Sequence, residues 1–204
     1  MTRFAGLTGA TLETTPAVCH ECIWWQSRHG RSIDKRRWIR GTEEEWGAWG
    51  TVYYDDDGRL LGSMVFGPSG LFPRASELPA GPASDDAVLV TCAYLTDSSK
   101  PWVMQSLFLT AIGEARERGG RALEAFAYRY GENATGFERF NLHKTIFPSD
   151  FLADFGFTTV RAHGRVELAR LELGGLQPAA EGTREKVLRV VRDAFVPAPA
   201  PQRP

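Results

Sequence analysis

Three short stretches of the 204-residue chain carry residue types that could do chemistry. The first is Cys19-His20-Glu21-Cys22, where Cys-x-x-Cys spacing with His20 and His29 nearby offers the ligand types of a zinc knuckle. No second Cys-x-x-Cys and no close pair of histidines follows to close a tetrahedron. A reduced pair packed beside Trp24 and Trp25 is therefore the plainer reading, and no metal is expected. Cys92 makes the cysteine count odd, so a disulfide framework is not indicated; in its apolar run it reads as a small core residue. The second stretch is Ser99-Lys100-Pro101, turn chemistry placed directly before a helical pattern, where backbone donors and one cation could attract an anion. The third is Glu124, a carboxylate among Ala122, Leu123, Ala125 and Phe126. Apolar surroundings disfavour a carboxylate's charge. Such a group either becomes a better proton acceptor or requires an ion pair, here with Arg121 or Arg170, and both readings stay open.

These residues need elements to position them, and the central ones lie between Ala87 and Tyr128. Ala87 to Leu95 is an apolar, β-branched run of strand length, and Thr96 to Pro101 is a turn. From Trp102 to Arg118, Val103, Leu107, Ala111 and Ala115 recur at helical spacing, and Gly119-Gly120 stops the helix. Arg121 to Tyr128 gives a second strand. In such a β-loop-α-β unit a ligand usually sits beyond the first strand, at the helix N-terminus, so Tyr94 to Trp102 is where function is expected.

Around this unit, residues 1–17 read as a loosely held arm. Ile33 to Trp49 predicts an amphipathic helix ending at Gly50. Thr51 to Tyr54 and Arg59 to Phe66, joined through Asp55-Asp56-Asp57-Gly58, predict a β-hairpin. Gly67 to Ser84, with four prolines, is a long loop of the kind that borders sites. Gly131 to Phe147, with Asn141, His143 and Lys144, reads as a further loop with room for a short helix. Pro148 to Phe155 predicts a short helix capped by Gly156, followed by strands from Phe157 and from Val166 to Leu173. Gly174 to Gly182 is a linker, Thr183 to Phe195 an amphipathic helix that packs on its own domain or on a second copy, and Pro197 to Pro204 a disordered tail.

With 43% hydrophobic residues the chain can bury one substantial core. Its net charge of −1 supplies no field for a polyanion, and Lys35-Arg36-Arg37 with Arg40 is better read as a solvated helix face than as a nucleic-acid contact. Neither a spanning segment nor a signal peptide is visible. A cytoplasmic location without membrane association is expected.

The order of these elements, together with Ser84 to Leu89, Arg118 to Phe126, and Phe151 to Phe157 with Val160-Arg161, resembles the GNAT (GCN5-related N-acetyltransferase) family. The likeness is to an actinobacterial GNAT-like group in particular. Cys19-x-x-Cys22 with Trp24-Trp25, and Trp46 to Gly50, are similar to the same group, and the resemblance spans residues 18–173. It implies an α/β (α+β) fold with a mixed, splayed central sheet, flanking helices and an additional C-terminal helix. It also implies acyl transfer from acetyl-CoA or another acyl-CoA to a small-molecule or protein amine. Backbone groups of Ala93, Tyr94 and Leu95 would hold the pantetheine arm. The pyrophosphate would lie on the following loop and first helical turn, with Ser99, Trp102 and Met104 at the family's pattern positions beside Lys100 and Val103. Ser99, Trp102 and Met104 all depart from that pattern, which wants Gln or Arg, Gly, and Gly or Ala. Leu152 stands where many members have a proton-donating Tyr. Glu124 becomes the candidate general base, ahead of Asp85, Asp86 and His143. Because the phosphate loop is degenerate, an acyl carrier protein or an aminoacyl-tRNA is an alternative donor, met by Lys35 to Arg40 and Lys100. A non-catalytic binding module of the same fold is the opposing reading.

Overall fold

The computed structural model of the chain describes residues 3–131 and 143–174. The expected linker, C-terminal helix and tail, and Asn141, lie outside the described residues. Nine strands form one mixed sheet ordered β1-β2-β3-β4-β5-β9-β8, with β6 paired to β4 and β7 to β5. The strands are β1 (Arg3–Gly6), β2 (Gly50–Tyr54), β3 (Leu60–Pro68), β4 (Ala87–Leu95), β5 (Ala122–Tyr128), β6 (His143–Lys144), β7 (Phe147–Pro148), β8 (Thr158–His163) and β9 (Val166–Glu172). Helices α1 (Gly9–Leu12), α2 (Ala17–His20), α3 (Lys35–Glu45), α4 (Pro101–Glu117) and α5 (Ser149–Asp154) flank it. None of the helices among the described residues is long and apolar enough to cross a membrane.

The expected hairpin forms as β2 and β3, with Gly58 at φ 79° supplying the left-handed corner. The predicted helix over 33–49 is shorter, because Trp46 already takes a non-helical cap and Gly47 turns the chain at φ 88°. Gly50, expected to stop the helix, instead opens β2. Residues 3–20 correct the expectation of a loose arm. β1 adds an antiparallel edge to β2 with Phe4 opposite Tyr53, and the two rings stack at 4.1 Å. Thr8 and Thr11 then close a capping box on α1. Periodicity could not show this, since four residues are too few to carry a pattern. Thr8→Ala should cost about 1 kcal/mol in urea denaturation.

Alternation along the strands divides the core between two faces. On one face α4 and α5 cover Val88, Val90, Ala93 and Leu95 of β4 and Leu123, Ala125 and Ala127 of β5. Leu89 and Phe126 point to the other face, towards Trp25, Phe72 and Leu168. The α4 face of β4 uses even positions up to Val90 and odd positions from Ala93. This parity switch comes from an extra residue, Thr91, at the register shift between Val65↔Cys92 and Phe66↔Val90.

Candidate site at the β4–β5 fork

β4 and β5 run parallel and in register only from Ala87↔Ala122 to Val90↔Ala125. Beyond that point they part, at the position of the Thr91 bulge. A fork of this kind exposes the edges of two central strands and so creates a slot inside the sheet. Both edges are occupied by the chain itself. β6 pairs antiparallel with β4 through Ala93↔Lys144 and Tyr94↔His143, and β7 pairs with β5 through Ala127↔Phe147 and Tyr128↔Pro148. On its other edge Ala93 faces Met64, Tyr94 faces Ser63 and Leu95 faces Gly62. The expected loop over 131–147 thus returns a short strand into the fork, a pairing across distant sequence that two residues of pattern cannot announce.

The loop after β4 is closed in a similar way. Ser99 donates to Asp97 Oδ1 from its backbone N at 2.9 Å and from Oγ at 2.6 Å, and Lys100 Nζ lies 3.6 Å from Asp97 Oδ2. These hydrogen bonds from Ser99 hold the Asp97 carboxyl below the usual range. Asp97 therefore already supplies the negative charge that the loop donors would otherwise seek in a phosphate. At the start of α4, Pro101 has no N–H and the Val103 N–H donates to Lys100 O at 3.0 Å. Val103 and Met104 are each 1% exposed in the core, and Trp102 packs edge-on against Tyr53 at 5.9 Å. Of the residues expected to grip a pyrophosphate, Ser99 and Lys100 face solvent beside Asp97, whereas Val103 and Met104 point into the core.

Glu124 has a full set of partners. It is fully buried, its Oε2 accepts from Ser84 N at 2.8 Å, and its Oε1 accepts from Ser84 Oγ at 2.6 Å and from Arg170 Nη1 at 3.0 Å. Arg170 lies directly across the ladder and also binds Asp86 through both terminal nitrogens, at 3.0 and 3.1 Å, and Glu172 through Nε at 2.6 Å. Of the two readings left open, the ion pair has its partner, and that partner is Arg170. Arg121 is instead 3.9 Å from Asp86. Glu124 also stands on the sheet face away from α4, sharing Phe126's orientation, four residues short of the end of β5. Leu152, at the family's tyrosine position, is fully buried.

The basic cluster divides. Arg36, Arg37 and Arg40 are exposed, but Lys35 is buried and leaves the solvated face. The three cysteines are free thiols.

Solved acetyltransferase structures follow a similar chain path. An N-acetyltransferase from Staphylococcus aureus Mu50 is similar over 85% of this chain and 99% of its own, at 17% identity and a TM-score of 0.48. A GCN5-related N-acetyltransferase from Kribbella flavida is similar over 84% and 98%, at 15% identity and a TM-score of 0.46. The ribosomal-protein-S18-alanine N-acetyltransferase from Escherichia coli is similar over 87% and 97%, at 12% identity and a TM-score of 0.45. No family model and no curated relative matches the chain.

Proposed function

We propose that the chain is an N-acyltransferase of the GNAT type that takes its acyl group from a thioester recognised by the pantetheine and acyl portions, not by a pyrophosphate. The observation that carries this reading is the fork itself: a parallel β4–β5 pair that parts at Val90↔Ala125, with the Thr91 bulge at the branch point. A slot between two strands offers strand-like hydrogen bonds to an extended amide chain, which is what a pantetheine arm is. The arm would replace β6, whose hold on β4 is two residue pairs long. Amide groups of the arm would then meet the edge at Ala93 to Leu95, placing the thioester carbonyl near Thr91.

The chemistry asked of the protein is modest. A neutral amine attacks the thioester carbonyl, the C–N bond forms as the C–S bond breaks, and the thiolate leaves with the electron pair while the amine's proton passes to solvent. A thiolate whose conjugate acid has a pKa of about 8–9 leaves without a strong acid, so Leu152 is tolerable. Glu124 is assigned a structural role, because its oxygens already serve Ser84 and Arg170. A carrier-protein donor fits the absence of a phosphate grip, with Arg36, Arg37 and Arg40 as exposed cations for its acidic surface.

A second reading, a non-catalytic binding module of the same fold, is favoured by one observation: β6 and β7 occupy the fork as ordinary strands. Incubation with S-acetyl-pantetheine and a panel of amines, followed by mass spectrometry, separates the two. N-acetylated product above the uncatalysed rate is the expected result. If no amine is acylated from any thioester, the module reading replaces the enzyme.

A further inference from the structure

Lys35 opens α3 and is only 8% exposed. Its Nζ donates to Cys22 O at 2.6 Å and stands 5.4 Å from the Trp38 ring centre and 5.6 Å from that of Trp49. Among the described residues no carboxylate lies within ion-pairing distance of it, and Glu21 acts on it only from farther away. Cys19 and Cys92 do not compensate it either. Burial pushes Cys19 above the ordinary thiol value and Cys92 up to about 12, so both stay protonated and neutral. Desolvation correspondingly lowers the lysine's own pKa.

Lys35 lines a cavity of about 40 Å³ on the sheet face opposite α4, walled by Leu7, Leu12, Val18, Val65, Trp25 and Trp49. Trp25 and Trp49 are 2% and 1% exposed, and the Nε1 of each is buried without a hydrogen-bond partner. Buried donors in folded proteins nearly always find an acceptor. Two orphan N–H groups on residues lining one cavity, together with a buried ammonium that has no carboxylate in contact, call for an occupant that is rich in acceptors and negatively charged. The apolar wall asks that the remainder of this occupant be hydrocarbon.

We propose that this cavity binds a small aliphatic carboxylate, its head taken by Lys35 with the indole N–H groups of Trp25 and Trp49 as further donors, and its tail against the leucine and valine wall. A carboxylate is preferred over a phosphate, since a dianion opposite a single buried cation would leave one charge unpaired. The cavity is several times the roughly 10–15 Å³ that admits one water, which limits the tail to a few carbons. The cavity also touches Cys92, Ala93 and Tyr94 of β4 and so borders the fork, but the inference uses only Lys35, the two indoles and the apolar wall, and its test reads binding alone.

The test is thermal unfolding and tryptophan emission of the full chain in sodium butyrate, in butyramide, and in sodium chloride at equal ionic strength. At tenfold above its Kd, butyrate should raise the melting temperature by roughly 3–5 °C. Butyramide and chloride should leave it unchanged. Lys35→Met should abolish the butyrate shift, and Trp49→Phe, which keeps the ring and removes the N–H, should weaken binding several-fold. The acid-against-amide comparison on the unaltered protein decides the matter even if a variant does not fold. Equal shifts from butyrate and butyramide, no shift from butyrate, or a full butyrate shift in Lys35→Met would each overturn the proposal.

Discussion

Arg170→Met should lower the unfolding free energy by about 3–5 kcal/mol, because it strands a fully buried carboxylate. Glu124 has no exposure through which water could replace the guanidinium, and its second partner, Ser84, contributes only neutral donors. The same replacement releases Asp86, whose carboxyl the Arg170 hydrogen bonds hold below the usual range. Glu124→Gln is the contrasting case. The amide oxygen still accepts from Ser84 N and the new NH2 can donate to Ser84 Oγ, while Arg170 gives up Glu124 but keeps Asp86 and Glu172, so the loss should be about 1–2 kcal/mol. Urea denaturation measures both. If acyl transfer is found, Glu124→Gln should retain it, since the carboxylate is assigned to holding β5 and β9 together; a collapse of the rate at unchanged stability would restore Glu124 as the base.

Met104→Ala should cost about 2–5 kcal/mol, the range for emptying a packed core position. Met104 is 1% exposed on the buried side of α4, in the same cluster as Val103, Leu107 and Phe108. The same reasoning predicts what happens when the large side chains at the loop are cut away together. Trp102→Gly with Met104→Gly should lose more stability, since two glycines near the start of a helix add to the cavity. It should gain no affinity for acetyl-CoA. In the proposed reading bulk is not the obstacle to a pyrophosphate: Pro101 lacks the donor, and Asp97 already accepts from Ser99. A rise in melting temperature of the double variant on adding acetyl-CoA would show that bulk alone had closed the loop.

The sequence was informative where a pattern ran long enough to be read. Ala87 to Leu95, the seventeen-residue α4 and the Asp-Gly hairpin each appear where periodicity or turn chemistry put them. The residue types at Ser99, Trp102 and Met104 were legible, but that Met104 lies in the core and Ser99 on Asp97 was not. What stayed hidden depends on contacts between distant segments. β1 and β6 are strands only because β2 and β4 present open edges to them, so nothing in four or two residues could reveal them. Glu124 needed its cross-strand neighbour. Two arginines were open as partners, and only the register of β5 against β9 chose Arg170. Lys35 misled because it belongs to a basic run. Its position one residue past the Asp34 cap turns it inward while Arg36 and Arg37 stay outside.

If the fork takes a thioester by its amide arm, with no grip on a pyrophosphate among the described residues, the two halves of acetyl-CoA should contribute very unequally to binding. Isothermal titration of the full chain with acetyl-CoA and with S-acetyl-pantetheine, side by side, measures this. The dissociation constants should lie within about threefold of each other, a difference under roughly 0.7 kcal/mol. Acetyl-CoA binding a hundredfold more tightly than the pantetheine thioester would contradict it.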